Sequence, residues 1–334
     1  MGLSQFGRDV YGSPVEEARR CRTSCAVFDF SFVNRASIKG DQALDILHRF
    51  QSRNLNSMTI GKIVYALRED NADANFQVIS DLTIWKTAHC CYEVYSGHRQ
   101  DIEDLRAIAS DSTDFQDLSE NTRIYAVQGP ESLNVLKQLN PSSGLRSLPY
   151  FHSQKEWLAG VDCLVGRLGY TGEAGFEIVV EGDRDTEILW DELLRNAQPG
   201  GMIAADILRI EAGFILFLNE CRLQANTTEL GIGNFTEREQ TRSRYRLICF
   251  ECRCDHDLLP YAATANLIPP KIGEIAITSV NRTQFTKMAI GFGFINICDV
   301  ERTVFSDPLR LFHQIMRAQR PYFDFHKTRP RRHW

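Results

Sequence analysis

The chain has 334 residues, 43% of them apolar and 24% charged, with a formal net charge of −5. This is a globular composition, long enough for about two or three packed units, and it lacks the dense one-sided Lys/Arg field that nucleic acid requires. The start has no basic stretch followed by an apolar run, Phe6 breaks a myristoylation pattern, and no window approaches the roughly 20 apolar residues of a membrane helix. The expectation is a cytoplasmic protein with no nucleic-acid or membrane partner.

In chain order, the first strand-like run is Cys25–Phe30. A helical spacing of apolar residues follows at Ala43, Leu44, Ile46, Leu47 and Phe50. Lys62–Leu67, Phe76–Trp85 and Cys91–Tyr95 read as strands rich in β-branched and aromatic residues. Ile102, Leu105 and Ile108 predict a helix, Arg123–Val127 a strand, and Leu133, Leu136 and Leu139 a helix with Pro130 near its first turn. Val161–Leu168 reads as a strand and Asp185–Leu194 as a helix. Composition changes near residue 235, where Thr236–Tyr245 is polar and linker-like. Short strand runs follow at Leu247–Phe250, Glu274–Ser279, Met288–Phe294 and Thr303–Phe305, with a turn at Asn281-Arg282-Thr283. Mixed spacing of this kind predicts an α+β protein rather than a doubly wound sheet. No G-x-G-x-x-G follows a strand and no P-loop is present.

The ten cysteines read as free thiols of a reducing compartment. Cys249, Cys252, Cys254 and His256 lie close together, but they lack the second C-x-x-C knuckle or distant His pair of a structural zinc site. No metal is expected there. The basic run Arg329, Arg331, Arg332 and His333 reads as a solvated tail.

The segment most informative about chemistry is Gly169-Tyr170-Thr171-Gly172-Glu173-Ala174-Gly175-Phe176-Glu177. Three glycines in seven residues imply a tight backbone or a close approach. On spacing alone it reads as a hairpin with a surface Glu177, the alternative being a carboxylate that faces a ligand. The segment closely resembles the G-Y-T-G-E-x-G-x-E stretch of the glycine-cleavage T-protein (aminomethyltransferase) family. Ala26-Val27-Phe28-Asp29-Phe30-Ser31, Gln128-Gly129-Pro130, Asp206 to Gly213, Asn219-Glu220, Ile272-Gly273 and Thr278-Ser279 resemble further motifs of that family, in collinear order over roughly residues 20–325.

The resemblance implies a clover leaf of two α+β units and a small C-terminal β-barrel, with the folate-binding region over 1–235 and the barrel over 240–334. It implies tetrahydrofolate as cofactor and one-carbon transfer from an aminomethyl-lipoyl carrier protein or a small methylated donor. The alternative is a folate-binding paralogue without catalysis. The segment Val78-Ile79-Ser80-Asp81-Leu82-Thr83-Ile84 resembles the family's catalytic strand, which puts the catalytic role on Asp81. Glu177 takes the role of pterin anchor: a carboxylate accepts an adjacent ring N–H and exocyclic amine in one plane. The resemblance further puts Tyr65, Trp85, Ser96, Arg167 and Tyr170 at the cofactor. Tyr65 and Trp85 are read equally as rings stacked on the ligand or as core. The chain departs from the family at Ala205, where an Arg is usual, at the short 231–246 segment, in Asn71–Asn75, and in the 329–334 tail, which has no clear counterpart of a terminal Tyr.

Overall fold

A computed structural model describes residues 8–70, 76–109, 113–236, 243–253, 261–262 and 267–334. The helices are α1 (Pro14–Thr23), α2 (Ala43–Phe50), α3 (Arg99–Ile108), α4 (Ser132–Leu139), α5 (Asp183–Asn196), α6 (Met202–Glu211), α7 (Phe217–Glu220) and α8 (Thr227–Leu230). The strands of the first half are β1 (Ala26–Asp29), β2 (Asn34–Lys39), β3 (Ile63–Asp70), β4 (Gln77–Ala88), β5 (Cys91–Ser96), β6 (Asp114–Asp117) and β7 (Thr122–Gln128). Then come β8 (Ser153–Leu158), β9 (Val161–Gly166), β10 (Gly175–Glu181), β11 (Gln198–Pro199), β12 (Tyr245–Arg253), β13 (Tyr261–Ala262), β14 (Ile275–Arg282), β15 (Ala289–Asn296), β16 (Val304–Phe305) and β17 (His313–Ala318).

These strands make three sheets, in the orders β11-β1-β7-β10-β9-β8, β3-β4-β5-β2-β6 and β13-β14-β15-β12-β17-β16. The predicted α+β class holds. The C-terminal strands form one six-stranded sheet, and an isolated parallel bridge of Glu274 with Ser306 links the start of β14 to the end of β16; the expected barrel is not shown among the described residues. The Asn281-Arg282 turn is corrected, since both residues belong to β14 and pair with β15.

Each sheet follows from its alternation. In β10, Phe176, Ile178 and Val180 point into a core shared with Leu189 and Leu193 of α5 and Leu133 and Leu136 of α4. The residues between them, Glu177 and Val179, face the other side. In the second sheet, Ile46, Leu47 and Phe50 of α2 pack on Ile38, Leu82, Ile84 and Val94. The two sheets meet where Ile63 donates its N–H to the Phe151 carbonyl at 2.9 Å and Lys62 bridges to His152.

Helix α6 is the common centre. All of its residues except Ile203 are buried, including Asp206, Arg209 and Glu211. The Arg209 guanidinium, 0% exposed, lies 2.9 Å from Asp206 and 2.9 Å from Glu220, and donates to Ser279 Oγ at 2.6 Å. The amide of Asn281 donates to Asp206 at 3.0 Å, and the hydroxyls of Thr278 and Ser279 donate to Glu220 at 2.8 and 2.6 Å. On the opposite side, Glu211 accepts from Arg22 of α1 at 2.9 Å and from Thr283 at 2.8 Å. One helix therefore ties α1 and the third sheet together through charges that have no access to water.

Among the described residues no helix is long and apolar enough to cross a membrane. Cys249 and Cys252 are buried thiols of β12, whereas Cys254 and His256, like Asn71–Asn75, lie outside the described residues. Replacing Arg209 with Met leaves two buried carboxylates without their cation and is expected to cost about 3–5 kcal/mol in chemical denaturation. Adding Glu220→Gln to that variant should restore part of the loss, and unchanged stability of the single variant would refute the role given to Arg209.

Candidate active site

Between the first two sheets lies a cavity of about 210 Å³. Strands β3 and β4 supply Tyr65, Asp81, Thr83 and Trp85, and β10 supplies Glu177. The loop between α6 and α7 supplies Ile215 and Leu216. Phe30, Phe32, Tyr95, Phe151, Tyr170 and Phe217 make the rest largely aromatic. An apolar cleft with a few convergent polar groups is the usual form of a small-molecule site.

The two acids are unlike in their surroundings. Asp81 Oδ2 accepts from the Tyr65 hydroxyl at 3.0 Å. Burial pushes its carboxyl up to about 6, opposed by the Tyr65 hydrogen bond and helped by the charges of Asp101 and Glu220. Burial together with the Asp81 charge raises Tyr65 well above the usual phenol range, so Tyr65 remains a donor. Glu177 has no hydrogen-bond or ion-pair partner among the described residues. It keeps some exposed surface, yet desolvation alone pushes it up to about 7.

The glycine-rich segment has a specific task. The side chain of Gln128 donates to the carbonyls of Leu168 and Phe176 at 3.2 and 3.3 Å and accepts from Thr171 Oγ1 at 2.9 Å. A Cβ on Gly169 would sit 1.9 Å from Gln128 Oε1, so only glycine lets the loop close on this plug. Gly172 has φ 78° with Ala212, the residue that ends α6, pressed against it. Buried Glu173, in the same loop, accepts from Arg22 at 3.2 Å and Arg329 at 2.8 Å. The hairpin with a surface Glu is therefore replaced by a buried loop that delivers Glu177 to the cavity wall.

Of the residues singled out in the sequence, Asp81, Glu177, Tyr65, Trp85 and Tyr170 come together at the cavity. Trp85 is both wall and core: it is 1% exposed, donates to Thr83 Oγ1 at 3.0 Å, and packs against Tyr95 at 4.7 Å between ring centres. Ser96 and Arg167 are not part of the lining. Ser96 Oγ donates to Asp101 at 2.5 Å. Arg167 donates to the carbonyls of Leu148 and Arg332. The neighbours Gly97 and Leu168 reach the wall instead. Ala205 is buried in the core beside Phe28 and Leu208. Sequence reasoning passed over Phe32, His98, Phe151 and Phe217. Isolated aromatic residues carry no spacing signal, and only the chain path brings them to one cavity.

Residues 4–240 match the family described as GCVT N-terminal domain. The chain belongs to this family. Its sequence is 30% identical over 231 residues to an aminomethyltransferase of Thermotoga petrophila, a match covering 66% of this chain and 62% of the relative. With an aminomethyltransferase of Flavobacterium psychrophilum it shares 28% identity over 317 residues, 85% of each protein. A crystal structure of the glycine cleavage system aminomethyltransferase T from Bartonella henselae has the same fold, with a TM-score of 0.75 at 19% identity, covering 99% of this chain and 97% of the other. The GCVT match takes in every cavity residue named above.

The shift of Glu177 has a consequence for stability. A carboxyl raised by burial makes the native state bind the extra proton, so its unfavourable contribution is absent near pH 4 and grows as pH rises from about 4.5 to about 7. A Glu177→Gln variant is therefore expected to unfold like the wild type at pH 4 and to be more stable at pH 8. The expected gain is roughly 1–3 kcal/mol, discounted for the water that reaches the cavity. Thermal melts across that range check it, and a constant difference between the two proteins would contradict the desolvation of Glu177.

Proposed function

We propose that this chain binds tetrahydrofolate with its pterin ring on Glu177 and transfers a one-carbon unit with Asp81 at the reacting nitrogen. The observation that carries the reading is the pair of desolvated carboxylates, from two different sheets, opening on one aromatic cavity. Likeness to proteins named aminomethyltransferase supports the same reading.

The residues fit the cofactor. A buried carboxylate without a partner is costly unless something donates to it, and the adjacent N–H and amine of a pterin are suitable donors. Phe151, Trp85 and Tyr170 offer ring faces and edges to a flat heterocycle. The cavity lies below the range of about 300–1,000 Å³ typical for whole drug-sized ligands, so it suits the ring and leaves the remainder of the molecule outside.

Tetrahydrofolate supplies, when bound, a nucleophilic nitrogen that accepts the one-carbon unit. Asp81, oriented by the Tyr65 hydroxyl, holds a hydrogen on that nitrogen and stabilises the positive charge that develops there. With its carboxyl at about 6, Asp81 is mostly ionised at neutral pH and can still take up a proton. The apolar wall of Ile215, Leu216 and Phe217 limits the entry of water. The donor we infer is an aminomethyl group on a lipoyl carrier protein or a small methylated compound.

Calorimetric titration with tetrahydrofolate, followed by turnover with candidate donors, tests this. Glu177→Ala is expected to weaken binding by roughly 10–100-fold, the cost of removing charge-assisted hydrogen bonds. Asp81→Asn should leave affinity little changed and reduce turnover by about 100-fold or more. Full affinity in Glu177→Ala, or full turnover in Asp81→Asn, would overturn the assignment. Binding without turnover of any donor by the wild type would favour a folate-binding protein without catalysis.

A further inference from the structure

Besides the tyrosines, three titratable side chains line the cavity, and the transfer chemistry above uses two of them. The third is His98, which lies between exposed Gly97 and α3 with its side chain 39% exposed, at the mouth of the cavity. Among the described lining residues it alone can carry a positive charge. Its ring tilts against Phe217 at 5.2 Å between centres, and its backbone N–H donates to Ser96 Oγ at 3.0 Å. Its Nδ1 is buried, has no hydrogen-bond partner and lies 3.7 Å from Asp101 Oδ1.

Asp101 sets His98 at the Asp81 end of the cavity. This carboxylate is 0% exposed and accepts from Arg68 at 2.5 Å, from Ser96 Oγ at 2.5 Å and from Ser80 Oγ, on the residue before Asp81, at 2.8 Å. Its charge acts on Asp81, whereas desolvation alone acts on Glu177. The charged groups that face the imidazole are Asp101 and Asp104 of α3 and Arg68 of β3, which pairs with both acids. Imidazole takes up and releases a proton near neutral pH, and at the mouth it can exchange that proton with water.

Transfer from sulfur needs an acid that the other lining groups do not supply. A thiolate departs more readily when a proton reaches it as the bond breaks. Asp81 is mostly ionised and receives a proton, and Glu177 holds the ring. Burial raises Tyr65, Tyr95 and Tyr170 well above the usual phenol range, which leaves them poor proton donors.

We propose that His98 is the general acid that protonates the departing sulfur when the one-carbon unit leaves a lipoyl carrier. The proposal rests on the tetrahydrofolate reading above. His98 gives its proton to the sulfur as the carbon–sulfur bond breaks with its electron pair on that atom. The carbon passes to the folate nitrogen, whose own proton Asp81 accepts. The amino group leaves separately as ammonia, with the proton of a second folate nitrogen. No oxidant or reductant is needed, and His98 recovers its proton from water at the mouth.

A reaction and its reverse share their proton path, so the reverse direction tests this with stable reagents: methylenetetrahydrofolate, ammonium and dihydrolipoamide. There neutral His98 takes the thiol proton. His98→Gln is expected to lower turnover roughly 100-fold near neutral pH, to recover with added imidazole, and to bind tetrahydrofolate in calorimetry as the wild type does. The loss should narrow as pH rises to about 8.5 and above, where thiols ionise unaided. The imidazole NMR signals missing from His98→Gln should shift when tetrahydrofolate is added to the wild type. Full turnover in the variant, a loss that is constant with pH and not rescued by imidazole, or unshifted signals would overturn the role of His98 and leave the ring site standing. A wild type that binds tetrahydrofolate but turns over none of these reagents would also overturn it, since no sulfur then departs. A wild type that binds no tetrahydrofolate would overturn the ring site as well.

Discussion

The arrangement depends on burying a charged helix. Helix α6 carries Asp206, Arg209 and Glu211 into the interior, where removal from water is costly unless every charge meets a partner. The partners come from far apart in the chain: Arg22 before the first strand, Glu220 after the helix, and Ser279, Asn281 and Thr283 in or just after β14. Satisfying them requires α1 and the third sheet to be in place together. Such a network adds little net stability over an apolar core of the same shape, but breaking one member is expensive. It selects one docking of these elements over others.

That docking also shapes the cavity. Glu220, held by Arg209, accepts the N–H of Leu216 at 2.6 Å and thereby sets the Ile215–Phe217 wall. The glycine-rich loop leans on α6 through Gly172 and Ala212 while Gln128 fills its hollow. Glu177 and Asp81 thus reach the same space from sheets that share no strand. Neither carboxylate faces a cation, in contrast to the paired acids elsewhere in the interior. Two desolvated acids tolerated without counterions mark where local stability is given up for function.

Much of this was legible in the sequence, and the limits have physical reasons. The helices at 43–50, 99–108, 132–139 and 183–196 show regular apolar spacing and were readable from it. Strand β2 was missed because Arg35 near its start looks solvent-facing; it is buried, paired to Glu93 of the neighbouring β5 at 2.9 Å and to Glu181 of β10, in another sheet, at 2.5 Å, partners that no local window contains. Asp81 and Glu177 were found through motif resemblance, since nothing in their immediate neighbours reveals desolvation. The glycines of the 169–175 loop were conspicuous, but their cause, Gln128, lies some forty residues upstream. The C-terminal charges looked solvated because Glu173, which holds Arg329, is equally remote.

The central claim is that one cavity places a pterin against Glu177 with its reacting edge toward Asp81. A crystal structure of the protein soaked with tetrahydrofolate, or with a stable reduced analogue of it, tests this most directly. The account predicts ring density between Phe151 and Trp85, with two ring nitrogens within hydrogen-bonding distance of the Glu177 carboxylate. A ring bound elsewhere, or seated in the cavity with its donors turned away from Glu177, would contradict it.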